Sequence, residues 1–249
     1  MGPGITISAL LKRKIQMGIK NRNIEDGAQI SMAKLALTKG PRVFWDDFDD
    51  TSITDIGSQY GFNLNKTGSA DAPQVADNSV VEMYIDGNNE VLLISQDSHW
   101  SNAKECTMEA LISRVNRITN IEIRVGFASA AQITAMNNME DADKDWAYIE
   151  LDTGTATDWA VRSKIASGTE TVTRTGIIPG AGTDDHELKV RLTASEGVIA
   201  TIGDREIFHG TNIITDKTDW QPFVYVKTLQ AGATTVWLDS FAAYENRRA

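Results

Sequence analysis

The feature that most constrains this chain is a change of period. From about Pro41 onward apolar residues recur at every second position, in short runs separated by turn residues, and no run keeps a helical repeat. Ile121, Ile123, Val125 and Phe127 alternate with Glu122, Arg124 and Gly126. Leu188, Val190 and Leu192 alternate with Lys189 and Arg191, and Met108, Ala110 and Ile112 with Thr107, Glu109 and Leu111. Trp159, Val161, Ser163 and Ile165 share a face against Ala160, Arg162 and Lys164. Phe223-Val224-Tyr225-Val226 and residues 236–241 are rich in β-branched and aromatic side chains. Asp86-Gly87-Asn88-Asn89 predicts a hairpin joining residues 80–85 to 91–95, because Gly and Asn accept positive φ. Thr153-Gly154, Pro179-Gly180, Glu196-Gly197 and Gly203-Asp204 mark further turns. Strands at this spacing, with no helical pattern between them, predict an all-β, antiparallel two-sheet sandwich over residues 41–249.

Residues 1–40 read differently. Leu10, Leu11, Ile15 and Ile19 lie near helical spacing, with Ser8 placed to cap and Gly18 weakening the end. A turn-rich break follows at residues 21–27. A second apolar stretch carrying Ile30 and Leu35 then runs to Gly40-Pro41. Forty residues so patterned cannot build a core alone. They are expected to form a short, partly helical arm, in which Leu10, Leu11, Ile15, Ile19, Ile30 and Leu35 anchor the chain or join copies of it.

Charge sharpens the division. The net charge is −10, yet residues 1–40 hold seven basic side chains against Glu25 and Asp26, a net +5 that leaves −15 on the remainder. Such an acidic body repels nucleic acid. No run reaches the roughly 18 apolar residues of a membrane helix. Residues 5–11 are too short and polar for a secretory signal, with the basic cluster Lys12-Arg13-Lys14 on the wrong side. The one cysteine, Cys106, forbids an intrachain disulfide and suits synthesis in a reducing cytoplasm.

Phe44-Trp45-Asp46-Asp47-Phe48, the predicted hairpin at 81–87, the strand ending Arg124-Val125-Gly126-Phe127, His186-Glu187-Leu188-Lys189-Val190 and the closing residues 236–241 together resemble the concanavalin A-like lectin/glucanase jelly roll. The likeness spans roughly residues 43–245. Residues 23–35, Asn-Ile-Glu-Asp-Gly-Ala-Gln-Ile-Ser-Met-Ala-Lys-Leu, look like a segment that recurs in bacteriophage tail-fibre and other virion proteins. The combination implies a non-enzymatic virion structural protein made in the host cytoplasm, a capsid decoration or a tail or fibre component. Its partners would be other virion proteins and other copies of itself, with a trimer as first guess. A carbohydrate-binding, host-receptor module is the alternative, and a glycoside hydrolase with a degenerate carboxylate motif is another.

Hydrolases of this superfamily place Glu-x-Asp-x-(x)-Glu on one strand, where alternation brings the carboxylates to one face. Glu150-Leu151-Asp152 matches, but Gly154 and Thr155 stand where the second glutamate belongs, so no catalytic residue is expected. Asp141, Asp143 and Asp145 alternate and offer hard oxygen ligands to a possible Ca²⁺, without the glycine and final glutamate of an EF-hand loop. Trp159 and Trp237 lie in alternating runs and are expected in the core. Trp100 and Trp146 flank polar loops and are the candidates to stack on a surface glycan. His99, His186, His209 and Cys106 carry no activating motif and no other cofactor is implied.

Overall fold

The computed structural model of the chain describes residues 43–46, 63–68, 74–76, 80–96, 100–116, 118–129, 144–165, 168–180, 185–215 and 217–245. The arm, with Leu10, Leu11, Ile15, Ile19, Ile30 and Leu35, lies outside the described residues. The alternating runs are strands: β1 (Val43–Asp46), β2 (Asn63–Lys66), β3 (Gln74–Ala76), β4 (Val80–Ile85), β5 (Val91–Ser95), β6 (Cys106–Val115), β7 (Ile121–Ser129) and β8 (Trp146–Asp152). They continue as β9 (Ala160–Lys164), β10 (Thr171–Arg174), β11 (His186–Leu192), β12 (Val198–Ile202), β13 (Arg205–Gly210), β14 (Trp220–Thr228) and β15 (Thr234–Glu245). Among the described residues the one helical element is a single 3-10 turn, Asn102–Lys104, and no helix is long and apolar enough to cross a membrane.

Two antiparallel sheets result, a jelly-roll sandwich. The first runs β13-β12-β11-β6-β15-β4-β3, with β1 paired to the far half of β15. The second runs β10-β9-β8-β7-β14-β5-β2. Each sheet also joins strands distant in sequence, as in the register Tyr225↔Leu93 between β14 and β5.

Alternation fills the space between the sheets. Val81, Met83 and Ile85 of β4, Met108, Ala110 and Ile112 of β6 and Leu188, Val190 and Leu192 of β11 come from the first sheet. Leu92 and Ile94 of β5, Ile121, Ile123, Val125 and Phe127 of β7 and Val224 and Val226 of β14 meet them from the second. Trp159, Trp220 and Phe241 are fully buried among them. Each such side chain contributes about 1.5–3 kcal/mol on leaving water.

The structure corrects the reading of residues 80–95. The turn at Asp86-Gly87-Asn88-Asn89 forms, with Asn89 at φ 55°. The strands it joins do not pair: β4 sits in the first sheet beside β15, and β5 in the second beside β14. The connection is an arch over the end of the sandwich rather than a hairpin. Both strands have apolar faces that must enter the same core, and crossing between sheets lets them do so from opposite sides. Glu90 closes the arch, its carboxylate accepting from the backbone N–H of Asp86 (3.1 Å) and Gly87 (2.7 Å). Trp237 is a second correction. It is half-buried on the outer face of the first sheet, its ring 4.7 Å beneath the Arg114 guanidinium and its indole N–H donating to Glu82 at 2.9 Å.

Candidate functional site

Strands β7 and β8 depart from one-sided burial. Every residue of β7, and all of β8 except Asp152, is buried. The second sheet therefore carries a packed outer face as well as its inner one. Val91 and Leu93 of β5, Ala128 of β7, Trp146 and Tyr148 of β8 and Phe223 and Tyr225 of β14 form a separate apolar cluster there. Register places them together. One cross-strand row reads Arg162, Tyr148, Gly126, Phe223, and the next reads Ala160, Glu150, Arg124, Tyr225, Leu93.

A chain of alternating charges crosses the same face. Glu122 contacts the Arg124 guanidinium, and Arg124 Nε donates to Glu150 Oε1 at 3.2 Å. Glu150 Oε2 accepts from Arg162 Nε, and Arg162 Nη1 reaches Glu170 Oε2 at 2.8 Å. The Arg124 guanidinium also lies 5.2 Å from the Tyr148 ring centre and 5.3 Å from that of Tyr225. Burial pushes the Glu150 carboxyl up to about 7, against the opposing pull of Arg124 and Arg162. Burial likewise holds the Tyr148 phenol well above its ordinary range, so it stays neutral. The Tyr148 hydroxyl and the Trp146 indole N–H are enclosed without hydrogen-bond partners among the described residues.

A pH dependence follows. Between pH 4.5 and 7 the folded chain holds a proton on Glu150 that the unfolded chain has released. Stability from this group is therefore greatest below pH 4.5 and falls as pH rises to about 7. Denaturant melts at pH 5 and pH 8 are expected to show a loss on the order of 3 kcal/mol at the higher pH. Glu150→Gln is expected to flatten that slope, and an equally steep slope in the variant would exclude Glu150 as its source.

Glu150 and Asp152 share a face of β8, but Glu150 is clamped by two arginines. Asp152 closes the β8–β9 turn, accepting from Gly154 N (2.9 Å) and Thr155 Oγ1 (2.9 Å). Trp100 and Trp146 are not exposed platforms; they are 3% and 1% accessible. Trp100 exchanges backbone hydrogen bonds with Trp220 in the main core, and Trp146 packs near Tyr148 beneath the Lys164 ammonium (4.5 Å). Trp146 opens β8 and joins the packed outer face, whereas Trp100 forms an isolated bridge with Trp220 and enters the main core.

Asp145 is fully buried and accepts from the Thr215 N–H (3.3 Å) and the Thr215 hydroxyl, with Lys217 Nζ at 3.9 Å. Its carboxylate ties down Thr215 and faces Lys217, whereas Asp141 and Asp143 lie outside the described residues. Among the described residues no three His, Cys, Asp or Glu side chains are grouped to hold a metal. Cys106 is buried and its thiol is pushed up by that burial. His186 packs edge-on against Trp159, ring centres 5.5 Å apart, and His209 lies half-exposed with Nδ1 3.6 Å from Glu206. His99 lies outside the described residues.

Sequence reasoning missed Glu122, Arg124, Arg162 and the aromatic pair Tyr148 and Phe223. Read along one strand they are the polar or odd members of an alternating run. Only the cross-strand register brings them together.

No protein-family profile matches the chain, and no curated protein matches it. Solved structures do. A protein of unknown function from Shewanella oneidensis MR-1 aligns with TM-score 0.60 at 14% identity, covering 91% of this chain and 97% of that one. The potassium-bound carbohydrate recognition domain of Emp46p aligns with TM-score 0.57 at 9% identity, covering 80% and 95%. Bacillus licheniformis beta-glucanase aligns with TM-score 0.55 at 9% identity, covering 82% and 98%. A carbohydrate recognition domain and a glucanase thus share one architecture with this chain, the antiparallel two-sheet jelly-roll sandwich.

Proposed function

We propose that this chain is a non-catalytic carbohydrate-binding β-sandwich that uses the outer face of its second sheet. The observation that carries the reading is the pair of unpartnered donors on that face. The Tyr148 hydroxyl and Trp146 indole N–H are enclosed beside aromatic rings and beside the charged groups of Arg124 and Glu150, at 0% and 1% accessibility, so a sugar would reach them only when this face opens. An enclosed polar group without a partner costs about 1–3 kcal/mol. Aromatic faces flanked by hydrogen-bonding groups are the chemistry that recognises a sugar ring. The carbohydrate recognition domain and the glucanases among the structural neighbours support the ligand class. The clamped state of Glu150 and the capping role of Asp152 support binding without hydrolysis.

Tyr148→Phe tests this, since it removes only the hydroxyl. Its thermal midpoint is expected to stay or rise, while affinity for β-1,3-1,4-gluco-oligosaccharides, measured by calorimetry, falls at least tenfold. Full-length chain that binds no member of a glycan array, or a Tyr148→Phe variant that binds as well as the parent, would defeat the reading.

One observation favours a hydrolase instead. Glu150 titrates near neutrality, as a general acid does, and Glu122 stands one strand away on the same face. Glucan turnover that disappears in Glu150→Gln would establish that reading over the first. The virion role expected from residues 1–40 has no counterpart among the neighbours named above.

A further inference from the structure

Among the described residues the two exposed large apolar side chains are Val172, 43% accessible, and Ile178, 64% accessible. Both lie on one stretch, β10 and the residues that follow it through the left-handed Gly176 (φ 68°), at the edge of the second sheet. Among the described residues β10 pairs only with β9. Thr175 donates its backbone N–H to Trp159 O at 3.0 Å, in the register that pairs Thr173 with Val161 and Thr171 with Ser163. By the two-residue alternation of an antiparallel ladder, the N–H and C=O of Val172 and Arg174 point off the free edge.

Natural edges are blunted by charges, prolines or bulges, because an unpaired row of donors and acceptors recruits another strand. The opposite extreme of the first sheet is blunted: β13 carries Arg205, Glu206 and His209, and its pairing with β12 shifts register between Ala200 and Thr201. On β10 no proline stands and no register shift interrupts the pairing with β9, and its two charges, Glu170 and Arg174, are turned to Arg162 and Asp158 of the same chain. The sequence Glu170-Thr171-Val172-Thr173-Arg174 is also self-complementary. Antiparallel pairing of two copies about Val172 sets Val172 against its own symmetry mate, Thr171 against Thr173, and Glu170 against Arg174 twice over. The outward backbone groups of Val172 and Arg174 are the ones this register needs. Glu170 gives Oε2 to Arg162, and the Arg174 guanidinium donates to Asp158 O at 3.2 Å and Thr155 Oγ1 at 3.3 Å, so the cross-axis charge pairs would add to partners that each side chain already has.

We propose that β10 is a docking edge for a second copy of this chain, joining two seven-stranded sheets into one continuous sheet across a two-fold axis at Val172. A four-residue strand pair with Ile178 alongside is small beside the roughly 1,200–2,000 Å² of a stable interface. Association is therefore expected to be weak, on the order of 10–100 µM.

Two measurements on the full chain test it. Sedimentation equilibrium is expected to show a monomer–dimer equilibrium in the parent and a monomer in Val172→Lys up to tenfold higher concentration, with both melting alike. A parent that stays monomeric overturns the proposal. So does a Val172→Lys variant that associates as the parent does, the result expected if residues 5–38 join the copies instead. Cross-linking supplies the geometry. In Val172→Cys the two α-carbons would lie about 5.5 Å apart, within disulfide reach, and buried Cys106 does not compete. Mild oxidation is expected to couple two copies at least tenfold faster than in Ile178→Cys, where the thiol is more exposed but off the axis. Equal or slower coupling overturns the edge pairing.

Discussion

Arg124→Met is expected to be the most damaging polar substitution in the chain, lowering stability at pH 8 by about 3–5 kcal/mol. The guanidinium is 6% accessible and neutralises two carboxylates that are themselves buried, Glu122 at 4% and Glu150 at 1%. Methionine keeps most of the volume, so packing against Tyr148 and Tyr225 survives and the loss isolates the charge. For a chain of this length each kcal/mol corresponds to a few degrees, so the thermal midpoint is expected to drop by roughly 6–20 °C. The deficit is expected to shrink toward pH 5, because Glu150 then takes up a proton and leaves less uncompensated charge. A double-mutant cycle with Glu150→Leu is expected to be strongly non-additive, the pair of changes costing less than Arg124→Met alone. A single variant that melts within 2 °C of the parent would mean that the charge chain contributes nothing to the fold.

What the chain displays locally and what it hides can be separated on particular strands. The alternation of β4, β6 and β11 reads directly as inner and outer faces, since each belongs to a sheet whose outer side is partly exposed. The turns at Thr153-Gly154, Glu196-Gly197 and Gly203-Asp204 follow from residue type, and Glu196 and Gly203 do take positive φ. Sheet membership does not follow from residue type. Nothing within residues 80–95 distinguishes an arch from a hairpin, because that choice is made by β15 and β14, more than a hundred residues away. The site is hidden for the same reason. Along β7 the pattern Ile-Glu-Ile-Arg-Val implies a wet polar face, and only pairing with β8 and β9 shows Glu122, Arg124, Glu150 and Arg162 neutralising one another out of water. Asp145 and the two loop-flanking tryptophans were read from polar neighbours in sequence. In the fold, Thr215 and Trp220 are the partners that matter.

Gly126→Ala is expected to disable both fold and site. A β-carbon at Gly126 would stand 2.3 Å from the Ala147 carbonyl oxygen and 2.6 Å from the Tyr148 α-carbon. Both are backbone of β8, which is held by β7 on one side and β9 on the other, so neither can yield without breaking a ladder at the centre of the second sheet. The space above the glycine belongs to Tyr148 and Phe223, which meet edge to face with ring centres 6.1 Å apart. Overpacking at such a point costs about 3 kcal/mol or more. Gly203→Ala is the control. Its added carbon meets nothing within 4 Å, and it bears only the strain of a left-handed backbone at φ 57°, about 1–2 kcal/mol. Thermal melts are expected to show Gly126→Ala falling well below Gly203→Ala. Any folded Gly126→Ala is expected to lose glycan affinity with the displaced Tyr148 ring, whereas Gly203→Ala keeps it. If the two variants melt together, β8 gives way at this point, and the close packing that aligns Tyr148, Gly126 and Phe223 in one row is not what holds the outer face together.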